Sequence, residues 1–284
     1  MSAPEAPASA LQGCDMPAVP AHDSVPAGRE GVLEVELTPG NPGRCVATRA
    51  FAAYPLKLLI PRSLASFTPP RHTTPPGSPA TPQPAVWAFL VSYGGGMVAG
   101  DAVPLTVRVG PNATLVLGTQ SSTKVYHARG AMVAASAGAP APSPPALLST
   151  CAVVAAGGLL ALLPDPVVAF ADARFRQHTR VALAPRGSCV LLDWFTSGRR
   201  ARGEAWSFAS YESKTEVSVC GGDQGGDQEG RRALFVDALR LQRSVSSPLA
   251  SRMGRAHVLG TLILTGPRRV RHACRAHHAG RAWF

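Results

Sequence analysis

Short runs in which apolar and polar residues alternate, separated by turns rich in glycine and proline, recur along the chain of 284 residues. In residues 31–37, for example, Leu33, Val35 and Leu37 fall on one face and two glutamates fall on the other. This period of two predicts a half-buried strand, and residues 44–51 predict a second strand that forms a hairpin with it. The 28 glycines and 27 prolines leave little room for long helices. The pattern predicts a mainly β fold of stacked antiparallel sheets in one layered domain with few short helices.

Further elements follow from the same pattern. Residues 105–109 and 114–117 are predicted to form the clearest hairpin, because only Gly110–Ala113 separate them. A short helix is predicted only late in the chain, within residues 246–259. The other strands are predicted at residues 178–184, 189–196, 204–219 and 233–242.

Composition divides the chain into a domain and two tails. Residues 1–28 are rich in alanine, proline and serine, and we expect them to be disordered because they offer little apolar surface to bury. Residues 29–267 are expected to form one β domain. Two proline-rich segments, 66–85 and 128–146, predict surface loops, since proline cannot donate a hydrogen bond to a strand ladder. Residues 268–284 are a basic C-terminal tail.

The net charge of +11 would attract an acidic partner, a membrane surface or nucleic acid. Much of the excess lies in residues 252–281, which lack the interleaved aromatic side chains typical of single-strand nucleic-acid binding. Polyanion or nucleic-acid binding through the basic C-terminus is therefore an alternative, and a solvated tail with no nucleic-acid partner is the expectation.

The first residues and the apolar runs of the chain predict its cellular location. Residues 1–28 hold no lysine or arginine, which argues against a secretory signal or a transit peptide. The longest apolar run, residues 151–163, is shorter than the about 20 residues that span a bilayer. The sequence predicts a cytoplasmic protein without a membrane partner.

Two glycine-containing segments resemble nucleotide-binding loops but lack the required spacing. Gly94, Gly96 and Gly100 leave three residues rather than two between the second and third glycine, and a strand pattern follows instead of a helix. In the segment from Gly118 to Lys124, a threonine occupies the position at which a phosphate-binding loop needs its last glycine. We therefore predict no nucleotide site at either segment.

Histidine offers two further candidate sites. His127 or His178 could meet Ser121 or Ser122 in space, so a Ser/His hydrolase that uses residues 118–127 is an alternative, although the chain has no Gly-x-Ser-x-Gly motif. A cluster near the C-terminus could bind a divalent metal, but its place in an arginine-rich tail is equally consistent with an incidental grouping. The members of that cluster are His272, Cys274, His277 and His278.

Three carboxylates stand in unusual positions. Asp101 ends the glycine segment, Asp193 interrupts an apolar strand, and Asp237 interrupts another. Such a side chain faces water or is paired, because burying a lone charge costs several kcal/mol. One hypothesis is a structural ion pair, and the other is an internal watery path for a cation. The candidate partners for ion pairs are Lys124, Arg199 and Arg202.

Several blocks together resemble one family. Ser92–Asp101 and Gly118–Tyr126 resemble the two signature motifs of the urease accessory protein D family, called H in some organisms. The resemblance covers about residues 30 to 267. The further blocks, in the order that the family shows, are Leu163–Pro166, Asp193-Trp194, Gly198-Arg199, Ala201–Glu204 with Trp206, and Leu234–Asp237.

The resemblance implies a mainly β scaffold without an enzymatic reaction of its own. Members of the family join the urease accessory protein F and the nickel-carrying GTPase G, dock on apo-urease, and help to pass nickel to its active site. No tightly bound cofactor is implied, only a transient nickel ion. Spaced carboxylates suit this task, because a cage of thiolates and imidazoles would hold nickel too firmly.

Transferred residue by residue, the resemblance also implies which side chains take part. The glycine block is expected to shape the turn that positions Asp101; its members are Gly94, Gly95, Gly96 and Gly100. The implied nickel route consists of Asp101, Thr123, Asp193, Asp237 and Glu204.

Overall fold

The computed structural model describes residues 30–40, 44–61, 85–127, 143–220 and 231–269. The predicted N-terminal tail, most of both proline-rich loops and nearly all of the basic C-terminal tail lie outside these residues. The strands are β1 Gly31–Thr38, β2 Arg44–Phe51, β3 Leu56–Leu59, β4 Val86–Ser92, β5 Ala102–Val109, β6 Thr114–Thr119, β7 Thr123–Val125, β8 Ala146–Val154, β9 Leu159–Leu163, β10 Val167–Ala169, β11 Arg174–Leu183, β12 Ser188–Thr196, β13 Ser210–Cys220, β14 Arg231–Gln242 and β15 Val258–Thr265.

Helix is scarce, as predicted. The described residues hold one α-helix, α1 Leu249–Met253, within the range predicted for it, and three 3-10 helices. None of the described helices has the length and apolarity needed to cross a bilayer. The 3-10 helices are Tyr93–Gly95, Arg200–Arg202 and Pro267–Arg269.

The strands form two stacked sheets. The first sheet has seven strands in the order β14-β13-β11-β8-β5-β1-β2. The second has eight, in the order β3-β4-β6-β9-β12-β10-β7 with β15 paired to the free side of β12. The prediction of a mainly β, layered domain with few short helices is confirmed.

The predicted antiparallel pairing is wrong for most neighbours. In the first sheet β1, β5, β8, β11 and β13 all run parallel, and antiparallel pairs occur only at its two ends. In the second sheet β4, β6, β9 and β12 run parallel. The reason is that the chain passes back and forth between the sheets from β5 to β13, so each return to a sheet has the same direction. A period of two is the same for both pairings and carries no information on direction.

The two predicted hairpins have different outcomes. β1 and β2 pair antiparallel, with Val32 opposite Phe51, so this hairpin is confirmed. β5 and β6 do not pair, because β5 lies in the first sheet and β6 in the second. The turn between them instead carries the chain across the core: Gly110 N–H donates to the Val35 carbonyl at 2.8 Å, and Asn112 adopts φ 55°.

The core fills the space between the inward faces of the two sheets. Leu33, Leu105 and Phe175 of the first sheet are fully buried against Leu115 and Leu117 of the second. Burying side chains of this size contributes about 1.5–3 kcal/mol each, which makes this layer the main source of stability. One end of the layer is aromatic and adjoins the acidic residues described below.

The outward face of the first sheet carries ion pairs along β11 and β13. Glu216 accepts hydrogen bonds from His178 Nε2 at 2.8 Å and Arg180 Nε at 3.2 Å, and pairs with Lys214 Nζ at 2.6 Å. Because a carboxylate can only accept, the His178 Nε2 atom must carry the proton. Burial raises the pKa of Glu216, but these hydrogen bonds outweigh it and lower the pKa to about 2. Burial lowers the pKa of His178, so its ring is neutral at pH 7.

Candidate functional site

Three neighbouring strands of the second sheet are interrupted at the same level. Backbone hydrogen bonds join the interruptions: Met97 N–H donates to the Lys124 carbonyl at 2.8 Å, and Thr123 N–H to the Pro166 carbonyl at 3.1 Å. The structure thus places the two signature blocks and the Leu163–Pro166 block side by side. The interruptions are Tyr93–Gly95 after β4, residues 120–122 between β6 and β7, and residues 164–166 between β9 and β10.

A cavity of about 260 Å³ lies between the layers at this level. Apolar side chains from both sheets line it, together with the polar run Thr119–Thr123. Among the described residues its lining includes neither a charged side chain nor a histidine. Thr123 therefore faces a neutral cavity and not an acidic one.

The predicted serine and histidine pairing does not occur in the described structure. His127 Nδ1 lies 2.9 Å from the Ala171 carbonyl and its ring packs on Phe170, while His178 binds Glu216. Ser121 and Ser122 line the cavity, away from both rings. The geometry therefore gives the hydrolase alternative no support.

The glycine block needs its glycines for two different reasons. Gly94, Gly95 and Gly100 have φ values of 74°, 73° and 84°, in the left-handed region that other residues avoid. Gly96 is extended, but a Cβ there would lie 2.6 Å from a ring carbon of Tyr126. Positive φ and close packing thus account for all four glycines.

Asp101 closes the turn at the end of this block. Its Oδ2 accepts the Val98 N–H at 2.8 Å, its own N–H donates to the Val98 carbonyl at 3.0 Å, and its carbonyl accepts the Leu147 N–H at 2.7 Å. The carboxylate is therefore engaged in local structure, away from the other predicted acids.

Asp193 occupies the inward face of β12, half-buried and directed at the first sheet. Its Oδ1 accepts Gln177 Nε2–H at 3.0 Å, and its Oδ2 accepts Ser213 Oγ–H at 2.6 Å. Thr215 Oγ1 lies 3.5 Å from the same Oδ2. No described lysine or arginine forms an ion pair with it. Neutral donors alone compensate this charge.

A row of polar side chains connects the core to the edge of the first sheet. Thr150, Thr179, Thr215 and Asp237 stand in register on β8, β11, β13 and β14. The three threonines are 5%, 6% and 4% exposed, whereas Asp237 is exposed. Buried hydroxyls on three neighbouring strands give a line of oxygen atoms that ends in a carboxylate at the surface on the fourth strand.

Two threonines, Thr215 of this row and Thr261 of β15, link Asp193 and Asp237. Thr261 lies opposite Asp193 in the β12–β15 pair, and its Oγ1 is 3.5 Å from Asp237 Oδ2. Thr215, opposite Asp237 in the β13–β14 pair, approaches Asp193. The members of this interlayer polar cluster are Gln177, Asp193, Ser213, Thr215, Asp237 and Thr261.

Tyr211 lies next to the interlayer polar cluster. The ring is fully buried and stacks on Phe195 with 4.0 Å between centroids. Its hydroxyl has no hydrogen-bond partner within the described part of the chain, which costs about 1–3 kcal/mol for a buried donor. Burial, and then the charge of Asp193, raise the pKa of Tyr211 well above its ordinary value. A protonated, unsatisfied hydroxyl therefore stands beside the acidic cluster.

Glu204 belongs to a separate ion pair. Arg199 donates to it through Nε at 2.9 Å and also through Nη2, and the Ala171 N–H donates to it at 3.2 Å. The Arg199 hydrogen bond lowers the pKa of Glu204, although burial opposes the shift. Arg199 also lies 3.9 Å above the Phe170 ring. This arrangement fixes the loop between β12 and β13.

Of the predicted route residues, the structure brings together Asp193 and Asp237. Asp101, Thr123 and Glu204 lie elsewhere, each with the contacts given above. Among the described residues, no group of three or more histidine, cysteine or acidic side chains is placed to hold a metal ion. The predicted cluster of His272, Cys274, His277 and His278 lies outside the described residues.

Sequence reasoning missed the neutral members of the cluster. Gln177 and Ser213 sit at inward positions of β11 and β13, between the fully buried aromatic rings of those strands and the valines further along. The signal was present, because polar residues at inward-facing positions of a strand break the period of two. It was missed because, inside the strands, only the charged residues Asp193 and Asp237 were singled out.

Comparison with known proteins agrees with the resemblance. The family model described as UreD urease accessory protein matches residues 29–283. "Urease accessory protein UreD" of Sorangium cellulosum is 40% identical over 85% of this chain and 64% of its own length. "Urease accessory protein D" of Oryza sativa subsp. japonica is 33% identical over 87% of this chain and 67% of its own length.

A third relative, "Urease accessory protein UreD" of Anaeromyxobacter sp., is 36% identical over 85% of this chain and 65% of its own length. The chain thus spans about two thirds of the length of these curated relatives. All three are named as accessory proteins and not as enzymes. The chain belongs to the UreD family of urease accessory proteins.

Proposed function

We propose that this chain is a urease maturation factor that joins the accessory proteins F and G and apo-urease and assists the transfer of nickel into the urease active site. Membership of the UreD family is the observation that carries this proposal. The chain acts as a scaffold and not as an enzyme. Nickel is its cargo, held only in passing.

The interlayer polar cluster is the part of the chain that we assign to nickel. Its oxygen donors are carboxylates, hydroxyls and one amide, which bind nickel more weakly than thiolates or imidazoles do. Weak, spaced sites allow an ion both to enter and to leave. Asp193 supports this role because no described cation neutralises it, so its charge is available to an incoming ion.

The position of the cluster also supports passage. Asp237 is exposed on β14 and Asp193 is half-buried, with hydroxyl groups between them. An ion that enters at Asp237 would reach Asp193 by exchanging oxygen ligands one at a time. Tyr211 offers a further oxygen atom at the inner end, since its hydroxyl has no hydrogen-bond partner among the residues that the structure describes.

Direction must come from the partners. The glycine block has neither the spacing nor the following helix of a nucleotide loop, and its glycines serve a turn and a close contact instead. Hydrolysis by the GTPase G and tight binding at the final urease site would therefore drive the transfer.

Reconstitution with purified components tests the proposal. The chain, proteins F and G, apo-urease, nickel and GTP are combined, and both complex formation and the nickel content of urease are measured. We expect the chain to co-elute with protein F and nickel loading to depend on the chain. If the chain binds none of the three proteins, or if loading is the same without it, the proposal is wrong.

A further inference from the structure

The outward face of the second sheet is apolar across five neighbouring strands, β4, β6, β9, β12 and β15. The alternation of side chains places one set on the core and the other set outside. A first outward row crosses five strands without a charged side chain; it consists of Trp87, Val116, Ala161, Val190 and Leu264.

The next outward row is equally apolar. Leu163 is 41% exposed and Leu262 is 58% exposed, and Trp87 in the first row is 48% exposed. Large apolar side chains therefore face away from the core on both sides of β12. The members of this second row are Phe89, Gly118, Leu163, Leu192 and Leu262.

A face of this kind is typical of a covered sheet. Sheets of parallel strands are normally buried on both faces, and their strands read as continuous apolar runs, as β9 does throughout and β12 does from Cys189 to Leu192. Five strands spaced about 4.8 Å apart, with the two outward rows about 6.8 Å apart along each strand, give an apolar area of about 330 Å². That lies in the range of about 300–600 Å² in which surface patches are often functional.

The border of this face is basic at two of its edges, and Asp165, which is exposed two residues after Leu163, is an acidic exception. Where β12 ends and β15 begins, four exposed arginines occur in residues 197–203 and 250–257, and these two segments contain no acidic residue. Lys57, on the outward side of β3, is exposed at the opposite edge. The four arginines are Arg200, Arg202, Arg252 and Arg255.

The positive charge of this border favours some binding partners of the outward face over others. A second copy of the chain would bring arginines near arginines on a protein whose net charge is already +11. A partner with acidic residues around an apolar stripe would match both the centre and the border. Helices are the elements that cover the faces of parallel sheets, so the matching shape is a helical surface.

We infer that the outward face of the second sheet is a docking surface for a partner protein that presents helices with an apolar stripe bordered by acidic residues. The inference rests on the proposed function in one respect, namely that this partner belongs to the urease maturation assembly. It does not depend on the interlayer polar cluster, which faces the other side of the sheet.

Matched double variants test this surface. Leu163→Glu with Leu262→Glu places two charges on the outward face of the second sheet. Leu234→Glu with Val236→Glu is the control, because these β14 side chains are 42% and 56% exposed, close to the 41% and 58% of the first pair. Circular dichroism melting curves confirm that each variant folds. Binding to purified protein F and to apo-urease is measured separately with the immobilised chain.

We expect the first pair to weaken binding to at least one of these two proteins by about tenfold or more, as for two charges buried in an apolar contact, and the control pair to change it less than about twofold. A third pair, Arg200→Glu with Arg255→Glu, should slow association and reduce the loss of binding between about 0.1 and 0.5 M salt.

Each other outcome overturns the inference. If wild type binds a partner and the first pair binds it equally well, the docking surface is wrong while the proposed function stands. If wild type binds neither protein, both fail. If light scattering shows a wild-type dimer that the first pair dissociates, the occupant is a second copy. If the wild-type chain and the control pair sediment with anionic vesicles and the first pair does not, the occupant is a membrane.

Discussion

Replacing Asp193 separates the contribution of its charge to the fold from its contribution to nickel transfer. In Asp193→Ala, the Gln177 amide and the Ser213 hydroxyl, now 3.0 Å and 2.6 Å from the carboxylate, lose their acceptor. Leaving a buried donor unpaired costs about 1–3 kcal/mol, and the cost is lower for Gln177, which is only half-buried, than for the buried Ser213. The 3.5 Å contact with Thr215 adds little, since it lies at the limit of hydrogen-bond distance. We expect Asp193→Ala to lose about 2–4 kcal/mol of unfolding free energy.

Asp193→Asn removes the charge and keeps the shape. Its Oδ1 still accepts from Gln177, and the Ser213 hydroxyl can rotate to accept from the new amide. The loss is then the difference between charged and neutral hydrogen bonds, about 1 kcal/mol in total. Urea denaturation followed by circular dichroism measures both values. A loss in Asp193→Ala below about 1 kcal/mol would show that water replaces the missing acceptor and that the layer is open.

Nickel loading should follow the charge and not the stability. We expect Asp193→Asn and Asp193→Ala to reduce the nickel content of reconstituted urease to a similar extent, with binding to protein F unchanged. Ser213→Ala removes one hydroxyl of the cluster, costs about 1–2 kcal/mol and keeps the carboxylate, so we expect it to reduce nickel loading less than Asp193→Asn does. Normal loading by a folded Asp193→Asn variant would refute the role assigned to this charge.

Three further substitutions test the surrounding structure. Glu216→Gln should cost about 1–2 kcal/mol of unfolding free energy at pH 7. The pKa of Glu216 is about 2 in the folded chain and about 4.3 in the unfolded chain, so the ionised carboxylate stabilises the fold at pH values above about 4.3. The expected value is reduced for solvent screening, because the side chain is 30% exposed. That difference from wild type, measured by urea denaturation, should shrink as the pH falls from about 4.5 toward 2, and a constant difference contradicts it. Gly96→Ala should lower stability by about 1–3 kcal/mol in thermal melting, since its Cβ would lie 2.6 Å from Tyr126; an unchanged melting curve shows that the ring moves freely. Glu204→Gln should lower the melting temperature by weakening the Arg199 ion pair but leave nickel loading normal, and a loading defect would return Glu204 to the route.

The sequence was informative wherever a property is local. The alternation in residues 31–37 predicted β1, and the short turn after it predicted its hairpin with β2. Strand direction is not local: β5 and β6 are joined by a short turn, yet they belong to different sheets. A tight turn predicts a hairpin only if both strands bury the same face in one sheet, and the pattern of single strands does not contain that information.

The candidate site shows the same division. The apolar strand around Asp193 predicted that the charge of this side chain must be compensated. Which groups compensate it depends on the strands that face β12 across the core. The candidates chosen by charge were Lys124, Arg199 and Arg202, and Arg199 pairs with Glu204 instead. Glu204 is five residues away in sequence, so this ion pair could have been predicted from proximity alone.

β12 links the two surfaces that this fold offers. Its odd-numbered residues from Cys189 to Phe195 face the core and include Asp193, while the even-numbered residues Leu192 and Trp194 face outward. A substitution on β12 itself would therefore disturb the nickel cluster and the docking face together. A change at Leu163 avoids this ambiguity, because β9 carries no member of the cluster, whereas Leu262 follows the cluster residue Thr261 on β15. A loading defect in the variant with both Leu163→Glu and Leu262→Glu, with intact binding, would mean that displacement of the flanking strands reaches the cluster through β12 or through Thr261.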